Sequence, residues 1–287
     1  MTNKDEKISV LPFLKWAGGK RWLLNRREFG LPQFSGRYIE PFLGGGAVFF
    51  HVRPQRAILS DVNPRLIETY QAIRDDHERV LEQLAYLQKH HDKSFYYKER
   101  SRKRRSLHKR AAQFLYLNRT CWNGLYRENL KGEFNVPIGT KDKVIYEDED
   151  FALISSVLTA AEIVTCDFEC TIDRAEDGDL VFVDPPYTTA HNMNGFVKYN
   201  QNIFTWDDQV RLKEAIVRAL YRNAQVVLTN ADHQSIHELY QGVGDVISVP
   251  RSSVISGKSE MRRATSEALY YFGIDEGGLA RGQESHE

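Results

Sequence analysis

The 287-residue sequence has few cysteines and no long apolar run. Its three cysteines, Cys121, Cys166 and Cys170, are an odd number without paired C-x-x-C spacing, which argues against a disulfide framework and against a zinc ribbon. They are expected to be reduced thiols in a cytoplasmic protein. Because no apolar run approaches the roughly 20 residues that a bilayer span needs, no membrane association is expected.

An excess of charge of either sign is also missing. Lys and Arg total 39, Asp and Glu total 39, and the formal net charge is therefore zero. This balance excludes a surface that attracts polyanions over its whole area, so any nucleic-acid site must be a local patch. With 41% hydrophobic and 27% charged residues, the chain has the composition of an ordinary globular protein, and its length allows one large or two modest domains.

Several common site patterns are incomplete. The segment that ends at Lys20 lacks the first glycine and the Ser/Thr of a phosphate-binding loop, although Lys20 and Trp16 could still meet the carboxylate and the flat face of a small zwitterionic ligand. His233 and His237 have helical spacing without the Glu of a zinc protease motif. No Ser/His/Asp or Cys/His pattern occurs, and no metal site is predicted.

What the sequence does have is an alternation of strand and helix patterns. The predicted strands are 37–43, 57–60, 162–166, 180–183, 224–229, 246–249 and 268–272. Helices are predicted after Asn63 and Pro64, as N-cap and first helical residue, and over 206–222, with Thr205 and Asp208 as a capping box. The alternation predicts an α/β fold with a doubly wound sheet.

Between these strands, helix patterns and basic charge dominate from residue 64 to residue 147, which predicts an inserted, mainly helical domain. Residues 1–63 and 148–275 would then form one discontinuous domain. The tail 276–287 has too little apolar content to pack, and disorder is expected there. Segment 188–204 is a candidate mobile loop, and 252–263 is expected to contact phosphates or to form a solvated loop.

The strongest local signal is Asp184-Pro185-Pro186-Tyr187, directly after the buried strand pattern 180–183. Ligands of open α/β sheets bind beyond the carboxyl ends of strands, so these residues are expected in the cleft. The Asp184 carboxylate and the Pro185 carbonyl could accept both hydrogens of an exocyclic amino group. Pro186 removes a backbone donor, and the Tyr187 ring could stack on a flipped base. The alternative is a proline-rich turn at the end of a strand.

Glycines and an acid follow the first two strand patterns. Gly44 and Gly46 would let the backbone approach a ligand, and Asp61 could hold ribose hydroxyls. Phe49 occupies the position of the last glycine of G-x-G-x-x-G, so a nucleoside without phosphates fits at least as well as a dinucleotide. The alternative is a plain turn between a strand and a helix.

A basic run from Lys98 to Arg110 precedes the segment Asn118-Arg-Thr-Cys-Trp-Asn-Gly-Leu-Tyr-Arg127. Basic side chains neutralise phosphates, and an arginine can pair with guanine, so the two segments together could read a duplex. The alternative for the basic run is a solvated helix face.

Seven motifs in this order resemble the Dam-type DNA adenine-N6 methyltransferases, the D12 group with the α arrangement. They are Leu14-Lys-Trp-Ala-Gly-Gly-Lys20, Glu40-Pro-Phe-Leu-Gly-Gly-Gly46, Leu59-Ser-Asp-Val-Asn63, Leu115-Tyr-Leu-Asn-Arg119, Asn123-Gly-Leu-Tyr-Arg127, Gly132-Glu-Phe-Asn-Val-Pro137 and Asp184-Pro-Pro-Tyr187. The resemblance runs from about Phe13 to Phe272. It implies a Rossmann-like methyltransferase sheet that binds S-adenosylmethionine, interrupted by a target-recognition domain.

The implied activity is transfer of the methyl group of S-adenosyl-L-methionine to N6 of a flipped adenine in double-stranded DNA, within GATC. The product would be S-adenosyl-L-homocysteine, and no metal is needed. A cytosine-N4 methyltransferase and a catalytically silent DNA-binding relative are the alternatives. A monomer associated with the nucleoid is expected, and a cognate restriction endonuclease is a candidate partner.

The resemblance also assigns residues. Asp184, Pro185, Pro186 and Tyr187 would form the catalytic pocket. Cofactor contacts are implied for Trp16, Lys20, Phe42, Gly44, Gly46, Asp61, Asp167, Phe168 and Asp184.

In the target-recognition part, Trp122 would insert into the duplex and Asn123 would stabilise the gap. Lys15 and Arg127 would read guanines, and Leu125 and Pro137 would contact the thymine methyl group. The sequence departs from the family pattern at Arg119-Thr-Cys-Trp122, where Arg-Tyr-Gly-Tyr is expected.

Overall fold

The computed structural model describes residues 10–129, 131–190, 204–251, 265–274 and 279–281. Most of the candidate mobile loop 188–204 and all of the segment 252–263 therefore lie outside the described residues. Within the described chain, no helix is both long enough and apolar enough to span a bilayer.

Nine strands lie within the described residues, and seven of them form one sheet in the order β4-β3-β2-β5-β6-β8-β7. Strands β3, β2, β5 and β6 run parallel, while β8 is antiparallel to β6 and to β7. The strands are β1 (Gly30–Pro32), β2 (Tyr38–Glu40), β3 (Ala57–Asp61), β4 (Ala161–Thr165), β5 (Leu180–Val183), β6 (Gln225–Ala231), β7 (Asp245–Arg251), β8 (Thr265–Phe272) and β9 (Leu279–Arg281). The predicted α/β class is confirmed.

The helices in the described ranges connect the strands and form the stretch between β3 and β4. They are α1 (Ala47–Val52), α2 (Pro64–Lys89), α3 (Lys93–Arg100), α4 (Leu107–Thr120), α5 (Phe151–Leu158), α6 (Phe168–Ile172), α7 (Trp206–Tyr221) and α8 (Gln234–Leu239). Short 3-10 helices cover Lys20–Asn25 and Trp122–Gly124.

Both predicted helix starts are confirmed. The Asn63 side chain accepts hydrogen bonds from the backbone amides of Arg65 and Leu66 at 3.0 and 3.2 Å, with Pro64 as the first helical residue. Thr205 and Asp208 form the reciprocal capping box at the start of α7. Helix α2 is interrupted at Asp76, whose φ of −161° and ψ of 71° are not helical.

The chain divides into two compact units. One comprises Met1–Leu24, Gly44–Gln55 and Asn63–Ile163, and the other Asn25–Leu43, Arg56–Val62 and Val164–Glu287. The first contains α1 to α5, and the second contains most of the seven-stranded sheet. The domain boundaries predicted from the sequence stay a prediction.

The core of the second unit follows from the period of two along its strands. Alternate residues of β2, β5, β6 and β8 are buried together with the apolar sides of α6, α7 and α8. The strand residues of this cluster are Ile39, Ile58 of β3, Val181, Val183, Val226, Leu228, Ala268, Tyr270 and Phe272. This packing holds the parallel strands in register and fixes where their carboxyl ends lie.

The tail differs from its prediction at three residues. Strand β9 pairs antiparallel with β1, with Leu31 opposite Ala280, so the expectation of disorder is wrong for Leu279–Arg281. An edge strand gains backbone hydrogen bonds even from a segment of low apolar content, because pairing needs no side-chain pattern. Residues 282–287 lie outside the described residues.

Candidate active site

The carboxyl ends of four parallel strands bring the polar residues of the second unit to one edge of the sheet. Leu59 of β3 lies opposite Glu40 of β2, and Leu228 of β6 lies opposite Val183 of β5. Asp61 ends β3, and Asp184 follows β5 directly. This is the edge at which open α/β sheets bind ligands.

Asp184 is held by a hydroxyl group from the neighbouring strand. Thr229 Oγ1 donates to Asp184 Oδ1 at 2.7 Å, and the Thr229 side chain is only 1% exposed. Pro185 is buried and Pro186 is exposed. The Asp184 carboxylate is therefore fixed in direction, as a group that must accept hydrogen bonds from a substrate amine requires.

Tyr187 is held at its far end. Its hydroxyl donates to Glu267 Oε2 at 2.6 Å, and Glu267 in turn forms an ion pair with Arg251. Burial raises the pKa of Tyr187 far above the ordinary value, and the charges of Asp184 and Glu267 raise it further. The phenol thus stays protonated and acts as a hydrogen-bond donor.

A second buried carboxylate lies on β2. Glu40 Oε2 accepts a hydrogen bond from the Tyr38 hydroxyl at 2.8 Å, and both residues are buried. Burial raises the pKa of Tyr38 well above its ordinary value, and the charges of Glu40 and Asp184 contribute. The strand ends thus present hydrogen-bond acceptors beside Asp184.

The predicted cofactor residues Phe42 and Phe168 form one aromatic cluster with Phe204. The rings of Phe42 and Phe168 are stacked with centroids 5.4 Å apart, and Phe204 packs edge-on against Phe42 at 5.7 Å. Phe168 is buried and has the Arg211 guanidinium over its ring at 4.9 Å, whereas Phe42 is partly exposed. Asp167 caps α6 and pairs with Arg211 at 2.9 Å.

In the first unit, the glycine turn is shaped around Trp16. Gly44 has a φ of 46°, and a Cβ atom there would lie 2.6 Å from Trp16 Cδ1. Gly46, with a φ of 64°, is the residue before α1. The Tyr70 hydroxyl donates to the Gly44 carbonyl at 3.1 Å. Glycine is required at 44 both by the backbone and by the indole.

Trp16 and Lys20 differ in exposure. The Trp16 ring stacks on Tyr126 with centroids 5.6 Å apart and is half-buried. Lys20 is 3% exposed, and its Nζ donates to the Gly18 carbonyl at 2.9 Å. A buried ammonium is stabilised by several hydrogen-bond acceptors, and a carboxylate is a strong acceptor for such a group.

All six predicted DNA-binding residues are exposed, and all lie in the first unit. They are Lys15, Trp122, Asn123, Leu125, Arg127 and Pro137. Five belong to residues 121–139, which we call the exposed hairpin because antiparallel bridges join Cys121 to Ile138 and Glu128 to Phe134. Trp122 is 53% exposed and Leu125 is 43% exposed. Exposed large apolar side chains are typical of a binding surface.

Asn118 joins Lys15 to the exposed hairpin. Its Oδ1 accepts from the Lys15 amide at 3.0 Å, and its Nδ2 donates to the carbonyls of Lys15 and Gly124 at 2.8 and 3.3 Å. Asn123 and Gly124 both have positive φ, of 56° and 66°, a conformation that Asn and Gly adopt most readily. The tight turn therefore follows from these two residue types.

Lys15 lies beside Lys141. Although Lys15 is exposed as a residue, partial desolvation of its ammonium group lowers its pKa from the ordinary value, and the neighbouring Lys141 lowers it further. On the hairpin, Arg127 Nε donates to Asn135 Oδ1 at 2.8 Å. Lys15 and Lys141 form a local positive patch, the kind that a chain of zero net charge requires for nucleic acid, and Asn135 orients the Arg127 guanidinium on the hairpin.

The residues of the basic run from Lys98 to Arg110 differ in their surroundings: some form ion pairs within the helices, and others are exposed. Arg104 pairs with buried Glu99 at 2.6 Å, and Arg110 pairs with Glu68 at 2.8 Å, so these two side chains stabilise the helices. The exposed members are Lys98, Arg102, Lys103, Arg105 and Lys109. Arg110 is partly exposed as well, and Arg102 also lies 3.8 Å from Glu99.

Comparison with known proteins now adds the family. The D12 class N6 adenine-specific DNA methyltransferase family model matches residues 16–255, most of the chain. The chain belongs to the D12 class of N6 adenine-specific DNA methyltransferases. The matched range includes Asp184-Pro-Pro-Tyr187 and the exposed hairpin, and the predicted enzyme class is confirmed.

This D12-class chain is similar to proteins named type II methyltransferase and to proteins named DNA adenine methylase. It is 35% identical to the type II methyltransferase M1.LlaDCHI of Lactococcus lactis subsp. cremoris over 93% of this chain and 96% of the relative. It is 35% identical to the type II methyltransferase M.MjaIII of Methanocaldococcus jannaschii, over 89% and 96%. It is 34% identical to the DNA adenine methylase of Escherichia coli K12, over 91% and 96%.

A solved structure, that of the rRNA methyltransferase aviRa from Streptomyces viridochromogenes, covers 95% of this chain and is covered to 94%. Its sequence identity is 16% and its TM-score is 0.35, so it adds nothing to the family assignment.

Three residues that contact the candidate site residues were not predicted as site residues, although Asn118 lies within the motif Leu115-Tyr-Leu-Asn-Arg119. Thr229 and Glu267 hold Asp184 and Tyr187, and Asn118 holds Lys15. A signal existed for Thr229, because it is a polar residue at the end of the strand pattern 224–229. For Glu267 there was none, because β8 is antiparallel and brings its start, not its end, to this edge.

Proposed function

We propose that this D12-class enzyme transfers the methyl group of S-adenosyl-L-methionine to N6 of an adenine that has been turned out of double-stranded DNA, within GATC. The observation that carries the proposal is the pair of fixed side chains at the end of β5, Asp184 held by Thr229 and Tyr187 held by Glu267. A carboxylate acceptor and an aromatic ring side by side suit an exocyclic amine on a flat base.

The target amine would be held by Asp184 and by the Pro185 carbonyl. Each accepts one hydrogen of the N6 amino group, which draws electron density back onto nitrogen and orients its lone pair. The Tyr187 ring would stack on the base. Pro186 contributes by lacking an N–H, so that acceptors dominate this part of the site.

The residues of the second unit fit a nucleoside cofactor. Asp61 at the end of β3 would accept the ribose hydroxyls, and partly exposed Phe42 offers a flat surface for the adenine ring. Phe168 would support the Phe42 ring by stacking on it, and Asp167, which pairs with Arg211, would lie at the edge of this stack. When bound, S-adenosylmethionine supplies a methyl group on an already activated sulfonium.

In the first unit, Trp16, Lys20, Gly44 and Gly46 keep the cofactor roles that the family resemblance gives them. Buried Lys20 suits the carboxylate of the methionine part, and the small residue at 44 lets the backbone come close to a ligand. A cluster of three or more metal-ligating side chains does not occur in the described part of the chain.

The exposed hairpin and Lys15 would read the duplex. Trp122 would fill the space that the target adenine leaves, with Asn123 beside it, and this contact would offset the few kcal/mol that extrusion costs. Lys15 and Arg127 match the acceptors of guanine, and Leu125 and Pro137 match the methyl group of thymine. The names of the two type II relatives support a restriction-modification setting, with a restriction endonuclease as the partner system.

The proposal is tested by incubating the purified protein with unmethylated genomic DNA and S-adenosylmethionine and mapping N6-methyladenine by single-molecule sequencing. Methyladenine confined to GATC is expected. Methyladenine in another sequence would contradict the roles of Lys15, Arg127, Leu125 and Pro137, whereas N4-methylcytosine on nucleoside chromatography would contradict the target base.

The Asp184→Ala variant separates catalysis of methyl transfer from DNA binding. This variant is expected to lose methylation while its duplex affinity stays within about threefold of the unsubstituted protein, because the exposed hairpin is unchanged. Loss of DNA binding in a folded Asp184→Ala protein would contradict the assigned role.

A further inference from the structure

Glu267 is a carboxylate in a place where an unpaired charge would be costly. It is 5% exposed and lies near the start of β8. Strand β8 pairs antiparallel with β6, and the backbone register partner of Glu267 there is Ala231. Its Oε2 accepts the Tyr187 hydroxyl hydrogen at 2.6 Å, and its Oε1 pairs with the Arg251 guanidinium. Burying such a charge is tolerated only where partners compensate it, and here one partner belongs to the catalytic tetrapeptide.

The hydrogen bond constrains the orientation of the Tyr187 ring. Holding the hydroxyl oxygen fixes the first side-chain torsion, χ1. Because the O–H bond of a phenol prefers the plane of its ring, the direction of the hydrogen bond to Glu267 also favours one ring plane about χ2. Thr229 also faces this phenol, and it holds Asp184 at the same time. One short chain of groups thus links both functional side chains to strands β6 and β8.

The hydrogen bond to Glu267 also excludes a role for Tyr187 as a general base. A phenol that donates to a carboxylate, and whose pKa burial and two negative charges raise, cannot take a proton from the target amine. The functional part of Tyr187 is then its ring, and its hydroxyl serves to orient that ring.

We propose that Glu267, held by Arg251, is a positioning residue that sets the Tyr187 ring at the angle needed to receive the target adenine. The inference rests on the proposed function and deepens it. It assigns to β8 a part in placing the base, while Asp184 acts on the amine itself.

The test is a double-mutant cycle of Glu267→Gln and Tyr187→Phe, with steady-state methylation of a duplex that carries one target site. Glutamine has nearly the same shape as glutamate and keeps a weaker acceptor, and phenylalanine keeps the ring. Each single variant is expected to lower kcat about 10- to 100-fold, the range of a hydrogen bond to a charged group, with KM for S-adenosylmethionine unchanged. The double variant is expected to be no slower than the slower single variant.

A second readout follows the base directly. With 2-aminopurine at the target position, fluorescence on binding is expected to rise in both single variants relative to the unsubstituted protein, because stacking on an aromatic ring quenches 2-aminopurine and the extruded base loses its fixed stacking partner. Glu214→Gln, an exposed glutamate on α7, is the matched control and is expected to change neither the rate nor the fluorescence. If Glu267→Gln fails to fold by circular dichroism, Arg251→Gln replaces it in the cycle with the same expectation.

The inference is overturned if the Glu267→Gln protein methylates at the unsubstituted rate, or if the effects of the two substitutions multiply. Its failure is distinguishable from failure of the proposed function, which would show as an unsubstituted protein that places no methyl group on adenine.

Discussion

Thr229 contributes at the scale of a single hydroxyl group. Thr229→Val keeps the shape of the side chain but removes the donor to Asp184 Oδ1. We expect the methylation rate to fall about tenfold or more, because a hydrogen bond to a charged group is lost, while Thr229→Ser restores most of the rate. Single-turnover rates of the three proteins on one duplex check this. Equal rates for Val and Ser would show that the hydroxyl has no part in holding Asp184.

The proposed role of Lys15 in DNA binding depends on its charge. Lys15→Ala is expected to raise the Kd for duplex DNA about tenfold, and to reduce the slope of log affinity against log salt by about one if the contact includes a phosphate. An unchanged slope with a lost preference for guanine would instead place Lys15 on the base edge alone. Lys93→Ala, an exposed lysine at the start of α3, is the control and is expected to change neither quantity.

The pKa of Lys15 gives the binding a pH dependence of known sign. Because burial and Lys141 lower this pKa, Lys15 loses its proton at a lower pH than an ordinary lysine. Duplex affinity is therefore expected to weaken earlier as the pH rises into the alkaline range, and Lys141→Met is expected to move this loss to higher pH. Fluorescence anisotropy titrations between pH 8 and pH 10 measure the shift. A midpoint that Lys141→Met leaves in place would contradict the coupling.

At the scale of an element, the turn of the exposed hairpin is built on glycine. At Gly124, φ is 66° and a Cβ atom would lie 2.6 Å from Lys15 Cδ, whereas at Gly132, φ is 71° and nothing lies within 4 Å. Gly124→Ala is therefore expected to weaken DNA binding more than tenfold by displacing Lys15. Gly132→Ala carries the same backbone strain, of about 1 kcal/mol or more, without the collision. Equal effects of the two substitutions on the Kd would show that strain alone matters.

The elements themselves could largely be predicted from local residues. Leu180–Val183 is an apolar run between turn signals, and the caps Asn63, Thr205 and Asp208 act within one helical turn of themselves. Strand β9 and the break at Asp76 could not be predicted, because pairing with β1 and local backbone geometry leave no periodic pattern in the sequence.

The residues of the candidate site could likewise be predicted where they lie in a local pattern or a family motif. Asp184 and Tyr187 could be singled out because they follow a strand directly, and the order of motifs in the family placed Trp122 and Arg127. The side chain that holds Tyr187 could not be predicted. Its hydrogen bond with Glu267 spans 80 positions and depends on an antiparallel strand pairing that no single segment encodes.

At the scale of the whole molecule, stability should depend on pH with opposite signs in the two units. In the second unit, hydrogen bonds from Arg211 and then Arg218 lower the pKa of Glu169, which links α6 to α7. In the first unit, burial raises the pKa of Glu149 although Arg119 lies at 2.7 Å. A lowered carboxyl pKa gives a stabilisation that is complete above the ordinary value, whereas a raised one gives a stabilisation that is complete below the ordinary value and is lost as the pH rises through the folded value.

Glu169→Gln isolates the first of these effects. The stabilisation by the carboxylate is complete above the ordinary glutamate pKa of about 4.3 and is lost as the pH falls through the lower folded value. The substitution is therefore expected to lower the Tm by about 1 to 3 °C at pH 7, because an exposed ion-pair network contributes about 1 kcal/mol or less, and to have a smaller effect at pH 3. Calorimetric scans across this range check it, with Glu214→Gln as the exposed control. A Glu169→Gln difference that stays constant from pH 7 to pH 3 would show that packing, not the charge of Glu169, stabilises the contact between α6 and α7.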